Sequence, residues 1–136
     1  MKNLLKRIKE NEGFSEDVYK CSLGYDTIGY GFAIKDLKLS EEISTIILEQ
    51  KVNELFRKCY EKLEWFPFQP EPVQGVIIEM IFQLGFTGTM KFKKMIGHLK
   101  QRNYEGAADE MLDSKWAKVQ TPLRAQRLSE IMRASA

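Results

Sequence analysis

Apolar residues recur at intervals of three and four through most of the chain and alternate with polar or glycine positions only near its front. Leu4, Leu5 and Ile8 share one side of a charged stretch, with Glu12 a turn beyond Ile8. That spacing predicts a short amphipathic helix over 3–12, stopped by Gly13. From Phe14 to Ile34 the strand formers Val18, Tyr19, Ile28, Tyr30 and Phe32 are interrupted by Ser-Leu-Gly-Tyr-Asp, which predicts a hairpin or small sheet. Ser40, followed by Glu41 and Glu42, has the chemistry of a helix cap with acids in the first turn. The helix it opens carries Ile43, Ile47, Leu48, Val52, Leu55 and Phe56 on its apolar side.

Trp65-Phe-Pro-Phe-Gln-Pro-Glu-Pro72 must end that helix, because its three prolines cannot continue one. Val73, Val76, Ile77, Met80, Ile81 and Leu84 then form a broad apolar face, the pattern of a central buried helix. Shorter helices are predicted around Phe92–Leu99 and Tyr104–Leu112. A last one opens at Thr121, a potential cap, with Pro122 at its first position. The fold class is α+β and mostly helical. It is one domain over 1–136, with a β-rich lobe at about 13–34, a long linking helix at about 40–64 and a helical lobe at about 70–136.

Composition narrows the function classes. With 136 residues, 43% hydrophobic and 29% charged, the chain has the make-up of one soluble globular domain. No apolar run approaches the roughly 20 residues that cross a bilayer. The N-terminal segment is too often interrupted by charge for a secretory signal, so the expected location is a cytoplasm with no stable membrane insertion. Two cysteines, Cys21 and Cys59, are too few for a disulfide framework. His98 has no neighbouring ligands, so neither a metal nor another cofactor is expected. Residues 69–136 hold ten Lys/Arg against seven Asp/Glu, and Lys91 to Arg102 contains five basic residues and no acid. That run suits a polyanion or a solvated helix face equally. Without a recognition motif, nucleic acid is not an expected partner.

The chemistry concentrates in residues 11–32. A glutamate at a helix C-terminus faces the negative end of the dipole, and partial burial would act in the same sense; both would help Glu12 hold its proton as a general acid must, while a helix-end glutamate in plain solvent fits the position as well. Taken as one strand, Thr27, Gly29 and Gly31 share a face on which the glycines would leave the backbone bare and the threonine hydroxyl could hold a water or sugar hydroxyl.

Glu12-Gly13, eight residues to Cys21, five more to Thr27, then Ile28-Gly-Tyr-Gly31 resembles the active-site signature of phage-type lysozymes, the T-even phage group in particular. Ile81-Phe-Gln-Leu-Gly-Phe-Thr-Gly88, Ser114-Lys-Trp116 and Gln120-Thr-Pro-Leu-Arg-Ala-Gln-Arg127 are similar to later motifs of that family in the same order. The resemblance implies a lysozyme-like fold with a glycan cleft between its lobes. It implies hydrolysis of the β-1,4 bond between N-acetylmuramic acid and N-acetylglucosamine in peptidoglycan. Glu12 matches the general acid and Thr27 the threonine that holds the attacking water. Cys21 falls where members carry aspartate or cysteine. Phe82 and Gln83 match cleft residues, and Arg124 matches an arginine that orients the catalytic carboxyl; Gly29 and Gly31 belong to the substrate-side strip. Ala33, Met95 and Glu110 depart from the substrate-contacting residues of the T-even enzyme, and Asn11 and Phe32 replace charged ones.

A cysteine at 21 removes the second carboxylate that glycosidases ordinarily use. Three roles stay open for it: a base, a water-orienting group or a nucleophile, with the first two favoured by its pairing with Thr27. Two other readings stand beside hydrolysis. A lytic transglycosylase needs only one acid/base glutamate, and a decayed scaffold would bind walls without cutting them. As an endolysin the protein would be a monomer held in the host cytoplasm until a membrane-permeabilising partner released it; a tail-associated enzyme or a host effector is equally compatible.

Overall fold

The computed structural model describes residues 1–136. The chain divides into two compact units, Met1–Thr45 and Ile46–Ala136.

The first unit opens with helix α1, Lys2–Glu12, ended by Gly13 at φ 70°, whose N–H returns to the Lys9 carbonyl at 2.9 Å. Three strands follow, β1 Ser15–Lys20, β2 Asp26–Gly29 and β3 Phe32–Ala33, in an antiparallel sheet of order β1-β2-β3. Tyr19 pairs with Thr27 and Lys20 with Asp26, and the register shifts between Ser15 and Tyr19. That pairing is reinforced on the surface by the 2.7 Å Lys20–Asp26 ion pair. The predicted hairpin is present, but the strip assigned to Thr27, Gly29 and Gly31 is not one strand face. β2 ends at Gly29, and both glycines take left-handed φ values, 68° and 74°, so they build the β2–β3 turn. Only glycine reaches that region without steric cost.

The second unit is helical. Helix α2, Glu41–Lys62, begins in the first unit and runs into it. Its predicted cap is real: Ser40 Oγ accepts the Ile43 N–H at 3.2 Å. The proline-rich segment becomes a 3-10 turn, Phe66–Phe68, before α3, Glu71–Leu84. Val73, Val76, Ile77, Ile78, Met80 and Ile81 of α3 are all buried, as a central helix requires. Around it lie α4 Phe86–Met90, α5 Lys93–Lys100, α6 Tyr104–Leu112 and α7 Pro122–Ala134. Phe66, Met95, Leu99, Met111 and Met132 are fully buried with it; each such side chain contributes about 1.5–3 kcal/mol by leaving water.

Two details differ from the sequence reading. Between α6 and α7 the chain forms one turn of π-helix, Trp116–Gln120, closed by Thr121 N–H to Trp116 O at 2.9 Å. Thr121 also makes no side-chain cap for α7. Its hydroxyl instead accepts the Gln83 amide at 2.9 Å, a long-range bond that competes with capping. No helix is long and apolar enough to cross a membrane.

Candidate active site

Glu12 is the last residue of α1, and the turn at Gly13 redirects the chain into β1 beneath it. Its carboxyl oxygen Oε2 occupies the space in which a Cβ on Gly31 would have to stand, and its Cδ lies 2.9 Å from that position. The carboxyl group therefore rests directly on the β2–β3 turn. Lys9 Nζ, one helical turn earlier, lies 5.4 Å from the centre of the Tyr30 ring, and Phe14 packs against the same ring at 5.3 Å. Three contacts thus fix the end of α1 to one turn. Glu12 is exposed, not partly buried as the sequence suggested, because no residue of α1 is buried. Gly29 has a different purpose: an added Cβ would meet the Phe32 ring at 2.8 Å.

Thr27 is the buried residue of the first unit, at 3% exposure, and its hydroxyl donates to the Tyr25 carbonyl at 2.9 Å. Cys21 follows β1 and opens a tight turn in which its N–H donates to Tyr25 O at 3.0 Å and its carbonyl accepts from Gly24 at 2.8 Å. Gly24 closes the turn at φ 83°. The half-buried thiol of Cys21 faces donors on this turn. The Tyr25 N–H and then the Leu23 N–H hold its pKa below the ordinary thiol value against desolvation, with smaller help from the Thr27 hydroxyl and the Gly24 N–H. Converging N–H groups make such a turn a seat for negative charge. The single proton of Thr27 can serve Tyr25 O or the sulfur, and ionisation of the sulfur favours the second.

Cys21 and Thr27 lie together because Thr27 pairs with Tyr19, two residues before Cys21. Glu12 meets the same hairpin at its other end. Gly29 follows Thr27 by two residues, roughly 7 Å of strand. Of the eight residues singled out from sequence, Glu12, Cys21, Thr27, Gly29 and Gly31 belong to this one unit.

Phe82, Gln83 and Arg124 belong to the helical unit. Phe82 is exposed and lines a depression of about 300 Å³ with Lys51, Glu54, Leu55 and Ile81. Gln83 uses both ends of its amide internally: Oε1 accepts Trp116 Nε1–H at 3.1 Å and Nε2 donates to Thr121. Arg124 donates from Nε to Glu79 Oε2 at 2.8 Å. Glu79 was not singled out from sequence, and nothing local to it signals the pair. No cluster of His, Cys, Asp or Glu is arranged to hold a metal ion.

The first unit thus seats a helix-end glutamate on a glycine turn, next to the hairpin that carries Cys21 and Thr27. The phage lysozyme family model matches residues 9–132, and the chain belongs to that family. It is also similar to a protein described as probable T4-type lysozyme 1 of Dictyostelium discoideum, at 27% identity, covering 92% of this chain and 90% of that one. The family places the chain among lysozymes that degrade peptidoglycan.

Proposed function

We propose that the protein hydrolyses the β-1,4 bond between N-acetylmuramic acid and N-acetylglucosamine, with Glu12 as general acid and Cys21 and Thr27 handling the water. The observation that carries this reading is the seating of the Glu12 carboxyl on Gly31, at one end of the hairpin whose other end holds Cys21 in its donor-lined turn.

In the first half of the reaction the Glu12 carboxyl gives its proton to the bridging oxygen as the C–O bond breaks. Water held between Cys21 and Thr27 bonds to the anomeric carbon from the opposite face and gives up a proton to the ionised sulfur. The thiol returns that proton to solvent, and Glu12 is reprotonated, so one water is consumed for each bond cut. The lowered pKa of Cys21 supports a base or water-orienting role, since an ionised sulfur is the form that accepts a proton. Phe82 and Arg124 are assigned to the substrate side of the helical unit, Arg124 through the nitrogens that Glu79 leaves free. Gln83 works within the helical unit, its amide already taken up by Trp116 and Thr121.

A second reading keeps the bond and changes the acceptor. With a thiol in place of a second carboxylate, the substrate's own 6-hydroxyl could replace water, as in a lytic transglycosylase. Lysis of purified walls followed by analysis of the new sugar ends tests both. Hydrolysis gives reducing ends carrying solvent oxygen, whereas 1,6-anhydro ends would establish the alternative. Glu12→Gln should abolish release in either case, a loss of about 100-fold or more. Unchanged lysis by that variant would remove Glu12 from the reaction. A parent protein that binds walls but never clears them would be a decayed scaffold. We further assign the enzyme to act as a monomer, waiting in the cytoplasm of an infected cell for a partner that permeabilises the membrane.

A further inference from the structure

We propose that the helical unit carries a second glycan site, remote in sequence from the catalytic hairpin, that takes a sugar bearing a single negative charge. It is a pocket of about 700 Å³ lined by Lys62, Glu64, Trp65, Phe68, Lys100 and Arg102. One wall is aromatic: Trp65 is half-buried and Phe68 is 70% exposed, a large apolar surface left open beside three cations. Flat aromatic faces of this kind suit the C–H face of a sugar ring, and the cations suit an acidic substituent.

The pocket is pre-shaped. Buried Gln69 donates from Nε2 to Trp65 O at 3.0 Å and to Leu99 O at 3.2 Å, and accepts the Tyr104 hydroxyl at 2.9 Å. One side chain therefore ties the aromatic turn to the end of α5 that carries Lys100. Gln74, also buried, donates to Phe66 O at 3.1 Å and holds the same turn to α3. Arg102 supplies the third cation from a left-handed conformation, φ 55°, and is the one non-glycine residue with positive φ. A glycine would take that position at lower cost, so an arginine held there is a reason to look for a use of its guanidinium.

Charge counting fixes the ligand's valence. The lining holds three cations and Glu64, and two helix C-termini, those of α2 and α5, end here with about half a negative charge each. About one positive charge remains, which matches one carboxylate or one phosphodiester per sugar and not a phosphomonoester dianion. Both groups occur on wall glycans, and this part of the inference rests on the proposed function.

The test is a titration of the labelled protein followed by nuclear magnetic resonance, with N-acetylmuramic acid, the methyl ester of glucose 1-phosphate, and neutral N-acetylglucosamine. The chain has two tryptophans, so its two indole N–H signals report separately on this pocket (Trp65) and on another lined by Trp116. A saturable shift of the Trp65 signal with an acidic sugar, at a concentration about tenfold below that needed for the neutral one, is expected. The tighter of the two acids identifies a carboxylate or a phosphodiester source. Arg102→Gly should weaken binding at least about fivefold without lowering the melting temperature, and Phe68→Ala should weaken it with every charge intact. Equal binding of the neutral sugar, a response at Trp116 alone, or undiminished affinity in Arg102→Gly would overturn the proposal. A Trp65 response only to phosphatidylglycerol vesicles would replace the sugar with a lipid surface. None of these probes contains the scissile bond, so a failure of wall lysis would count against the catalytic reading and leave this titration intact.

Discussion

The carboxyl of Glu12 and the backbone of Gly31 occupy adjoining space, so that no side chain can exist at 31 while Glu12 stands where it does. Gly31→Ala therefore combines a displaced carboxyl with an unfavourable positive φ. We expect the variant to lose most wall-lytic activity and about 1–3 kcal/mol of stability. Gly85→Ala is the comparison, since Gly85 also has positive φ but open space around it. It should show the backbone cost with activity retained. Lysis rates and thermal melts on the two variants decide whether the Glu12–Gly31 contact matters beyond the turn.

The role of Cys21 separates by substitution. Cys21→Asp should stay active and Cys21→Ala should lose roughly 100-fold in rate. If proton acceptance by the sulfur limits the rate, the acid limb of the parent's pH profile follows the lowered thiol pKa. In Cys21→Asp that limb should move to lower pH, toward the aspartate value of about 3.9. Equal rates in Cys21→Ala and the parent would exclude the sulfur.

The two thiols should differ sharply toward iodoacetamide. Cys21 is drawn toward the thiolate by backbone donors, while burial pushes Cys59 up to about 11. Brief treatment of the folded protein should label Cys21, inhibit lysis and leave Cys59 unmodified in a peptide map. The linkage signs are opposite. Ionisation of Cys21 adds stability as pH rises from its lowered value toward the ordinary thiol value of 9.0, whereas Cys59 withdraws stability as pH rises from 9.0 toward about 11. Melting temperature in Cys59→Ala should consequently fall less between pH 9 and 11 than in the parent.

Gln83→Leu should leave the indole donor of Trp116 without its acceptor and Thr121 without its amide. A loss of about 1–3 kcal/mol is expected, measured by urea unfolding.

The Arg124–Glu79 pair is more than a third exposed on both sides, so its coupling in a double-mutant cycle should stay below about 1 kcal/mol. If Arg124 serves substrate, Arg124→Ala should lower wall lysis well beyond its effect on stability, and Glu79→Ala should not.

Helices α1, α2, α3, α5, α6 and α7 were legible because their apolar residues repeat at helical spacing, with Gly13, Ser40, Pro70 and Pro122 marking several of their ends. The short α4 offers too few residues for a period, and the π-turn at Trp116–Gln120 has no local pattern of its own. Tyr30 and Gly31, beyond the end of β2 at Gly29, were misread as strand because a turn built of glycines alternates in the same way. Glu12, Cys21 and Thr27 were singled out from motif spacing. The partners of Gln83 were not, since Trp116 and Thr121 lie 33 and 38 residues away, and no local rule reaches that far.

The donor-lined turn around Cys21 has an outcome of its own, apart from any part in catalysis. Backbone groups that favour an ionised sulfur also favour its attack on peroxide, giving a sulfenic acid that small thiols can reverse. Preparations stored in air would then fade without unfolding and revive with a reductant, whereas a member of the family with aspartate at this position would keep its potency.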